Sequence, residues 1–274
     1  MELVGKVVVV TGGASGIGRC LVEAFAANGA LGVVVADTNI EWAQRVAERV
    51  DGIAVSCDVA DPLQVQALVE RAEREFGPVD VFCSNAGYSD QTSVGLQATA
   101  EEFQRITAVN LLAHVWAAQA VVPSMVRRGG GYLLQTLSSA ALITGPSAPG
   151  YTLTKHGALG FAEWLALNYG GLGLRVSCLC PNAVYTGMFG RPFDDAGTSP
   201  PQIGALGEIL MPEAVAAQVL AAMQTSEPFL ITPHPRVQDS FRRKANDYDG
   251  WITRTRERLH RMRELTVTRT GEQS

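Results

Sequence analysis

The chain has no uninterrupted apolar stretch approaching ~18 residues, so no membrane-spanning helix is expected. Histidine is scarce. His114, His156, His234 and His260 are scattered with no paired ligand spacing, which argues against a metal centre. Charged residues make up only 18% of the chain and the net charge is −5, which leaves no footprint for a nucleic acid. The five cysteines, Cys20, Cys57, Cys83, Cys178 and Cys180, lie mostly in apolar strand-like runs, and Cys178-Leu179-Cys180 lacks zinc-site spacing. They read as buried thiols in a reducing cytoplasm. The first apolar run starts at Val7, which leaves no room for a signal peptide. What is present is a 47% hydrophobic chain of 274 residues, enough for one large core and too ordered in composition for a disordered protein.

Val7 to Val10 are four consecutive β-branched residues, the mark of a strand buried on both faces of a parallel sheet. Leu31 to Ala36, Ile53 to Cys57, Val79 to Ser84, Tyr132 to Leu137, Leu174 to Cys180 and Phe229 to Thr232 read as further strands. Helical patterns alternate with them: Gly16 to Asn28, Asp61 to Phe76, Ala100 to Arg127, Tyr151 to Tyr169 and Pro212 to Gln224. This predicts an α/β, doubly wound, mostly parallel seven-stranded sheet of the Rossmann type, with helices on both faces. Residues 1–235 form the single dinucleotide-binding and catalytic domain, followed by a charged helical tail over 236–274. Gly190 to Gly207, rich in Pro, Gly and Ser, reads as a mobile loop over the site.

The first strand runs into Thr11-Gly12-Gly13-Ala14-Ser15-Gly16-Ile17-Gly18. A plain strand-to-helix turn needs one or two glycines, not four. Gly12, Gly16 and Gly18 let the backbone approach a pyrophosphate, whose charge is favoured at the N-terminus of the following helix. About twenty residues on, the second strand ends in Asp37, where a carboxylate can accept from adenosine ribose hydroxyls and repel a 2′-phosphate. Neither Thr38 nor Asn39 offers a cation, so NAD is favoured over NADP. Arg19 is the one nearby cation and reads better as a solvated helix residue; an N-cap role for Asp37 before Glu41 and Trp42 stays open.

Tyr151 and Lys155 lie four residues apart in Y-T-L-T-K, one turn of one helix face. A tyrosine near its usual pKa of ~10 is a poor proton-transfer group at neutral pH, and a nearby ammonium favours the phenolate. The pair is a candidate general acid/base. Ser138 lies thirteen residues before the tyrosine.

Taken together these residues resemble the short-chain dehydrogenase/reductase family, from about Gly5 to Ala222. The resemblance rests on T-G-x-x-x-G-x-G at Thr11 to Gly18, Cys57-Asp58-Val59, Asn85-Ala86-Gly87, Asn110, Ser138, Tyr151-x-x-x-Lys155 and Pro181-x-x-Val184-x-Thr186. It implies hydride transfer between a nicotinamide and a CH–OH group, with Asn110, Ser138, Tyr151 and Lys155 catalytic. Tyr151 would exchange the proton, Ser138 would hydrogen-bond the same oxygen, and Lys155 would hold the nicotinamide ribose while lowering the tyrosine pKa. Asn110 would hold a water in the proton relay, or else be a helix polar residue satisfied by backbone. Cofactor binding would fall to Gly12, Ser15, Gly16, Ile17, Gly18, Asp37, Asp58, Val59, Asn85, Ala86, Gly87, Pro181, Val184 and Thr186, besides Tyr151 and Lys155. Asp58 would accept from the adenine amino group, and Thr186 would bond the carboxamide or pyrophosphate side. Ser139 competes with Ser138 for the serine role.

Departures from the family pattern are Asn182 in place of a usual glycine, Ser84 in place of a usual asparagine, and Pro233-His234-Pro235 where a glycine-rich ending is frequent. The last makes a homodimer, built on the helices near 100–127 and 151–169, the expectation over a homotetramer. The substrate should be a hydrophobic secondary alcohol or ketone, contacted by Tyr88 to Leu96, Ala140 to Gly150 and Tyr185 to Leu210, with Met188, Phe189 and Phe193 in the last. Two rivals are a non-catalytic NAD-binding redox sensor, which would not need Ser138, Tyr151 and Lys155, and an isomerase or dehydratase of the extended relatives, which carry different glycine spacing. In the tail, Trp251, Ile252, Leu259 and Met262 are spaced for one stripe, which would pack on the sheet edge, a second subunit or the rim of the pocket, unless the helix is merely solvated.

Overall fold

The computed structural model describes residues 1–89, 95–145, 149–189, 208–225 and 227–271. Seven parallel strands form one sheet in the order β3-β2-β1-β4-β5-β6-β7. They are β1 (Val7–Thr11), β2 (Gly32–Asp37), β3 (Ile53–Ser56), β4 (Val81–Ser84), β5 (Gly131–Thr136), β6 (Leu174–Leu179) and β7 (Leu230–Ile231). The order reverses between β1 and β4, and the crevice at that switch is where such sheets bind ligands.

Every residue of β1 is buried, as its unbroken β-branched run requires. Its side chains alternate between two cores. Val8 and Val10 face α1 (Gly16–Ala27), α2 (Ile40–Arg49) and α7 (Pro212–Thr225); Val7 and Val9 face α3 (Pro62–Phe76), α5 (Ala113–Arg127) and α6 (Pro149–Tyr169), with α4 (Ala100–Thr107) leading into α5. Two helices follow β7: α8 (Pro235–Asn246) and the longer α9 (Tyr248–Gly271). Proline at the first position of α8 costs no hydrogen bond there.

The helix expected over 100–127 is interrupted. Between α4 and α5 lies a π turn, Ala108–Leu112, whose widened register carries Asn110 inward to full burial. This run is also the one stretch of the described residues long and apolar enough to cross a membrane. Its apolar residues Ala113, Ala117, Val121 and Met125 are already spent against the sheet. In the tail, Trp251, Thr255 and Leu259 form the half-buried stripe of α9, while Ile252 is exposed, because an i, i+4, i+8 row faces one neighbour and i+1 turns away. The Met262 side chain and the loop expected over 190–207 lie outside the described residues.

A Cβ on Gly18 would sit 2.1 Å from the Gly12 carbonyl oxygen, a backbone atom that cannot swing aside. Gly18→Ala should therefore push the glycine turn off α1, lowering the melting temperature by several degrees and weakening dinucleotide binding. Calorimetry and a fluorescence titration would read both; a wild-type melting temperature with wild-type affinity is the contrary result.

Candidate active site

Two turns at the C-terminal ends of β1 and β4 are bolted together by one hydroxyl. Thr11 Oγ1 donates to Cys83 O (3.3 Å) and accepts from the backbone N–H groups of Asn85 (3.0 Å) and Ala86 (3.2 Å). The Asn85 amide donates back to Thr11 O and Gly12 O. Positive φ angles at Gly12 (63°) and Gly16 (52°) then fold the chain into the N-terminus of α1. Asp37 holds this turn from β2: its carboxylate accepts from Ala14 N–H (3.1 Å) and from Asn39 N–H (3.0 Å). The N-cap of α2 is Asn39, not Asp37, since Asn39 Oδ1 accepts from Trp42 N–H.

Above these turns opens a cleft of about 460 Å³. Its walls include Gly12, Ser15, Gly16, Ile17, Asp37, Asp58, Val59, Asn85, Ala86, Gly87, Ser138, Tyr151, Lys155, Pro181, Val184 and Thr186, residues that lie far apart along the chain. Of the expected set, only Gly18 and Asn110 do not line it. Gly18 packs behind the turn. Asn110 is committed to backbone: its Oδ1 accepts from Tyr88 N–H (3.0 Å) and its Nδ2 donates to Tyr88 O (2.7 Å). The cleft fits a dinucleotide, because a Cβ at Gly12 would meet Ala86 at 2.9 Å and one at Gly16 would meet Thr186 at 3.1 Å, so glycine keeps the floor open where a pyrophosphate would lie.

Ser138, Tyr151 and Lys155 stand at one end of this cleft. The phenol is hydrogen-bonded to Ser138, whose Oγ also accepts from Ala140 N–H. Ser139 is turned away, donating to Asn182 Oδ1. Lys155 is 3% exposed; its Nζ donates to Thr136 O (3.0 Å) and lies 5.7 Å from the Tyr151 ring centroid. The expectation that lysine lowers the tyrosine pKa is not met in the free protein. Burial raises the Tyr151 phenol above its ordinary value against the Ser138 hydrogen bond. The same burial lowers Lys155 to about 8, and the desolvated ammonium points at a carbonyl instead of the phenol.

Three contacts at the site carried no signal in the sequence. Arg105, from α4, forks onto Asp58 at 3.0 and 3.3 Å. Burial pulls the Asp58 carboxyl upward, but the Ala60 N–H bond and Arg105 outweigh it and leave the carboxyl below the ordinary range. Asp58 is thus already neutralised before it meets any adenine. His234 Nδ1 accepts from Asn182 N–H (3.1 Å) while Nε2–H donates to Ala183 O (3.2 Å), a neutral tautomer that grips the loop after β6. Burial lowers the His234 pKa, in keeping with that form. His114 is buried beside Lys155 on α5, and desolvation, then the Lys155 charge, lower it to about 3.

Comparison with known proteins accords with this geometry. Residues 6–196 match the family model described as short chain dehydrogenase. The chain belongs to the short-chain dehydrogenase/reductase family. It is accordingly a nicotinamide-dependent oxidoreductase acting on CH–OH groups. It is similar to momilactone A synthase of Oryza sativa subsp. japonica (39% identical over 189 residues, 68% of this chain and 69% of that one). It is also similar to (+)-borneol dehydrogenase 1 of Salvia officinalis (37% over 191 residues, 68% and 73%). Among solved structures, a short chain dehydrogenase/reductase from Burkholderia phymatum in complex with NAD superposes with a TM-score of 0.79 at 27% identity, covering 91% of this chain and 96% of that one.

The sign of the Lys155 shift gives a pH test. The ammonium is present below about 8 and is lost as pH rises through that value. Its donor strength toward a ribose hydroxyl falls in step. NADH affinity should decline several-fold between about pH 7 and pH 9 in the wild type and stay flat over that range in Lys155→Met. A pH-independent wild-type Kd by fluorescence titration is the contrary outcome.

Proposed function

We propose that the protein is an NAD-dependent dehydrogenase that interconverts a secondary alcohol and a ketone on a hydrophobic, cyclic body. The reading is carried by one juxtaposition: the phenol of Tyr151, hydrogen-bonded to Ser138, stands in the same cleft as the glycine turn and Lys155. A bound nicotinamide supplies the hydride acceptor or donor. Tyr151 takes the proton from the alcohol oxygen or returns it to the ketone oxygen. The Ser138 hydroxyl donates to that oxygen and steadies its developing charge. Lys155 holds the nicotinamide ribose. Leu137, Tyr88 and Met188 line the cleft and give it apolar wall for such a body. The remaining substrate-contacting segments expected at 90–94, 146–148 and 190–207 lie outside the described residues. The name of the borneol dehydrogenase relative supports a cyclic secondary alcohol.

The preference for NAD rests on Asp37, whose carboxylate lines the cleft at the end of β2, while the arginine that also lines the cleft, Arg105, is paired with Asp58. Five free, buried cysteines suit a reducing compartment such as the cytoplasm. A homodimer is our reading of α6, where Leu153, Trp164 and Leu167 stand exposed on a helix that otherwise packs on the sheet.

Tyr151→Phe should reduce kcat by about 10²- to 10⁴-fold, the usual cost of losing one general acid/base, with NADH affinity nearly unchanged. More than a tenth of wild-type kcat would assign the proton to another group. Asp37→Ala should weaken NAD binding and narrow its advantage over NADP, since the repulsion against a 2′-phosphate goes with the carboxylate. Steady-state kinetics with both cofactors measure this, and a wild-type enzyme that prefers NADP overturns the assignment.

A further inference from the structure

Residues Ser240 and Arg243 of α8, Trp251, Arg254, Thr255, Arg258 and Arg261 of α9, and Ile143 and Thr144 after β5 surround a second concavity of about 270 Å³. The α9 positions recur at three and four residues, so one helix face presents three guanidinium groups to α8. A plain helix pair would place apolar residues on that face. Among the described residues, no carboxylate lines the concavity. Arg254 is held by Asp247 (3.0 Å), whereas Arg243, Arg258 and Arg261 have no ion pair among the described residues. Like charges gathered around one small space repel one another, more so where solvent is partly excluded. That arrangement suits an anionic oxygen group, which a guanidinium binds in its fork geometry.

The neighbouring concavity, about 370 Å³, shares Thr144, Trp251 and Thr255 and adds the apolar Tyr248, Ile252 and Leu259, with Arg256 and His260 also in its wall. An apolar body therefore has a place beside the cationic one. The loop between them is fixed: Lys244 Nζ donates to Leu142 O (2.9 Å) and lies 5.0 Å from the Trp251 ring centroid. Thr144 is six residues beyond Ser138, so the chain itself keeps the two sites within about 20 Å. A polycyclic molecule can span that distance.

We propose that this concavity binds a carboxylate or phosphate carried at the end of the hydrophobic substrate remote from its reacting hydroxyl. The inference rests on the secondary-alcohol reading above and narrows it to amphipathic anions. The test is calorimetric titration of the full-length protein with a hydroxysteroid bearing a side-chain carboxylate, its methyl ester and the corresponding phosphate monoester. The same titrations are made on Arg243→Gln/Arg258→Gln, with turnover of cyclohexanol and the melting temperature measured in parallel. The expected result is that the acid, the phosphate or both bind at least tenfold tighter than the ester, that the double variant erases the difference, and that cyclohexanol turnover and melting temperature are unchanged. Which anion gains more distinguishes carboxylate from phosphate as the head group. Equal affinity for acid, phosphate and ester, no binding of any of them, or a charge preference that survives in the variant overturns the proposal. Arginine-dependent retention on phosphatidylglycerol vesicles without preference for the soluble anions also overturns it, in favour of a membrane surface. Absence of turnover with every secondary alcohol, neutral or charged, would instead sink the secondary-alcohol reading, a failure distinct from these.

Discussion

The site depends on one fully used hydroxyl. Thr11 Oγ1 joins the ends of β1 and β4 by giving one hydrogen bond and taking two, and it does so where the strand order reverses. In a buried setting each of these bonds would leave an unsatisfied group if broken, at a cost of about 1–3 kcal/mol apiece. The floor of the cleft is therefore set by strand ends that cannot drift independently. Gly12 and Asn85 are then in contact by necessity, which is why neither turn has room for a larger residue at Gly12 or Gly18.

Burial is the second constraint, and it works against the chemistry as much as for it. Tyr151 and Lys155 are taken out of water together, and both are driven toward their neutral forms. A neutral phenol beside a lysine with a pKa of about 8 is a stable resting state, whereas a phenolate beside an ammonium would be a buried charge pair needing further hydrogen bonds. Ser138 supplies one of these to the phenol, and Thr136 O already occupies the lysine. The active ionic state must be completed by groups that enter the cleft.

Where local periodicity decides, the sequence was legible. The valine run of β1, the alternation that assigns Val7 and Val9 to one core and Val8 and Val10 to the other, and the glycine turn all rest on neighbours within a few residues. Seven strands and the membership of the cleft followed from them and from the family resemblance. What was not legible depends on contacts between distant segments: Arg105 on Asp58, His234 on Asn182, Lys244 on Leu142. Nothing in the vicinity of an arginine in α4 announces a carboxylate after β3. Likewise the π turn at Asn110 is a one-residue change of register that a 3.6-residue pattern averages away.

The segment after β7 shows what those distant contacts accomplish. His234, in the segment that stands where the family frequently has a glycine-rich ending, holds the loop after β6 through the Asn182 N–H and the Ala183 carbonyl, about fifty residues earlier in the chain. Ten residues beyond His234, Lys244 takes hold of the other loop flanking the cleft. Helix α8 is thus a strap with one end on the strand exit that carries Pro181 and the other on the turn that follows Ser138. A buried lysine donating to one carbonyl is a costly way to close a surface, since desolvation lowers its pKa and leaves other N–H groups to satisfy. The aromatic rings of Tyr248 and Trp251, within 5.5 Å and 5.0 Å of that ammonium, share the load. Those rings belong to α9, so the same interaction that steadies the turn after Ser138 also sets the arginine face of α9 against it.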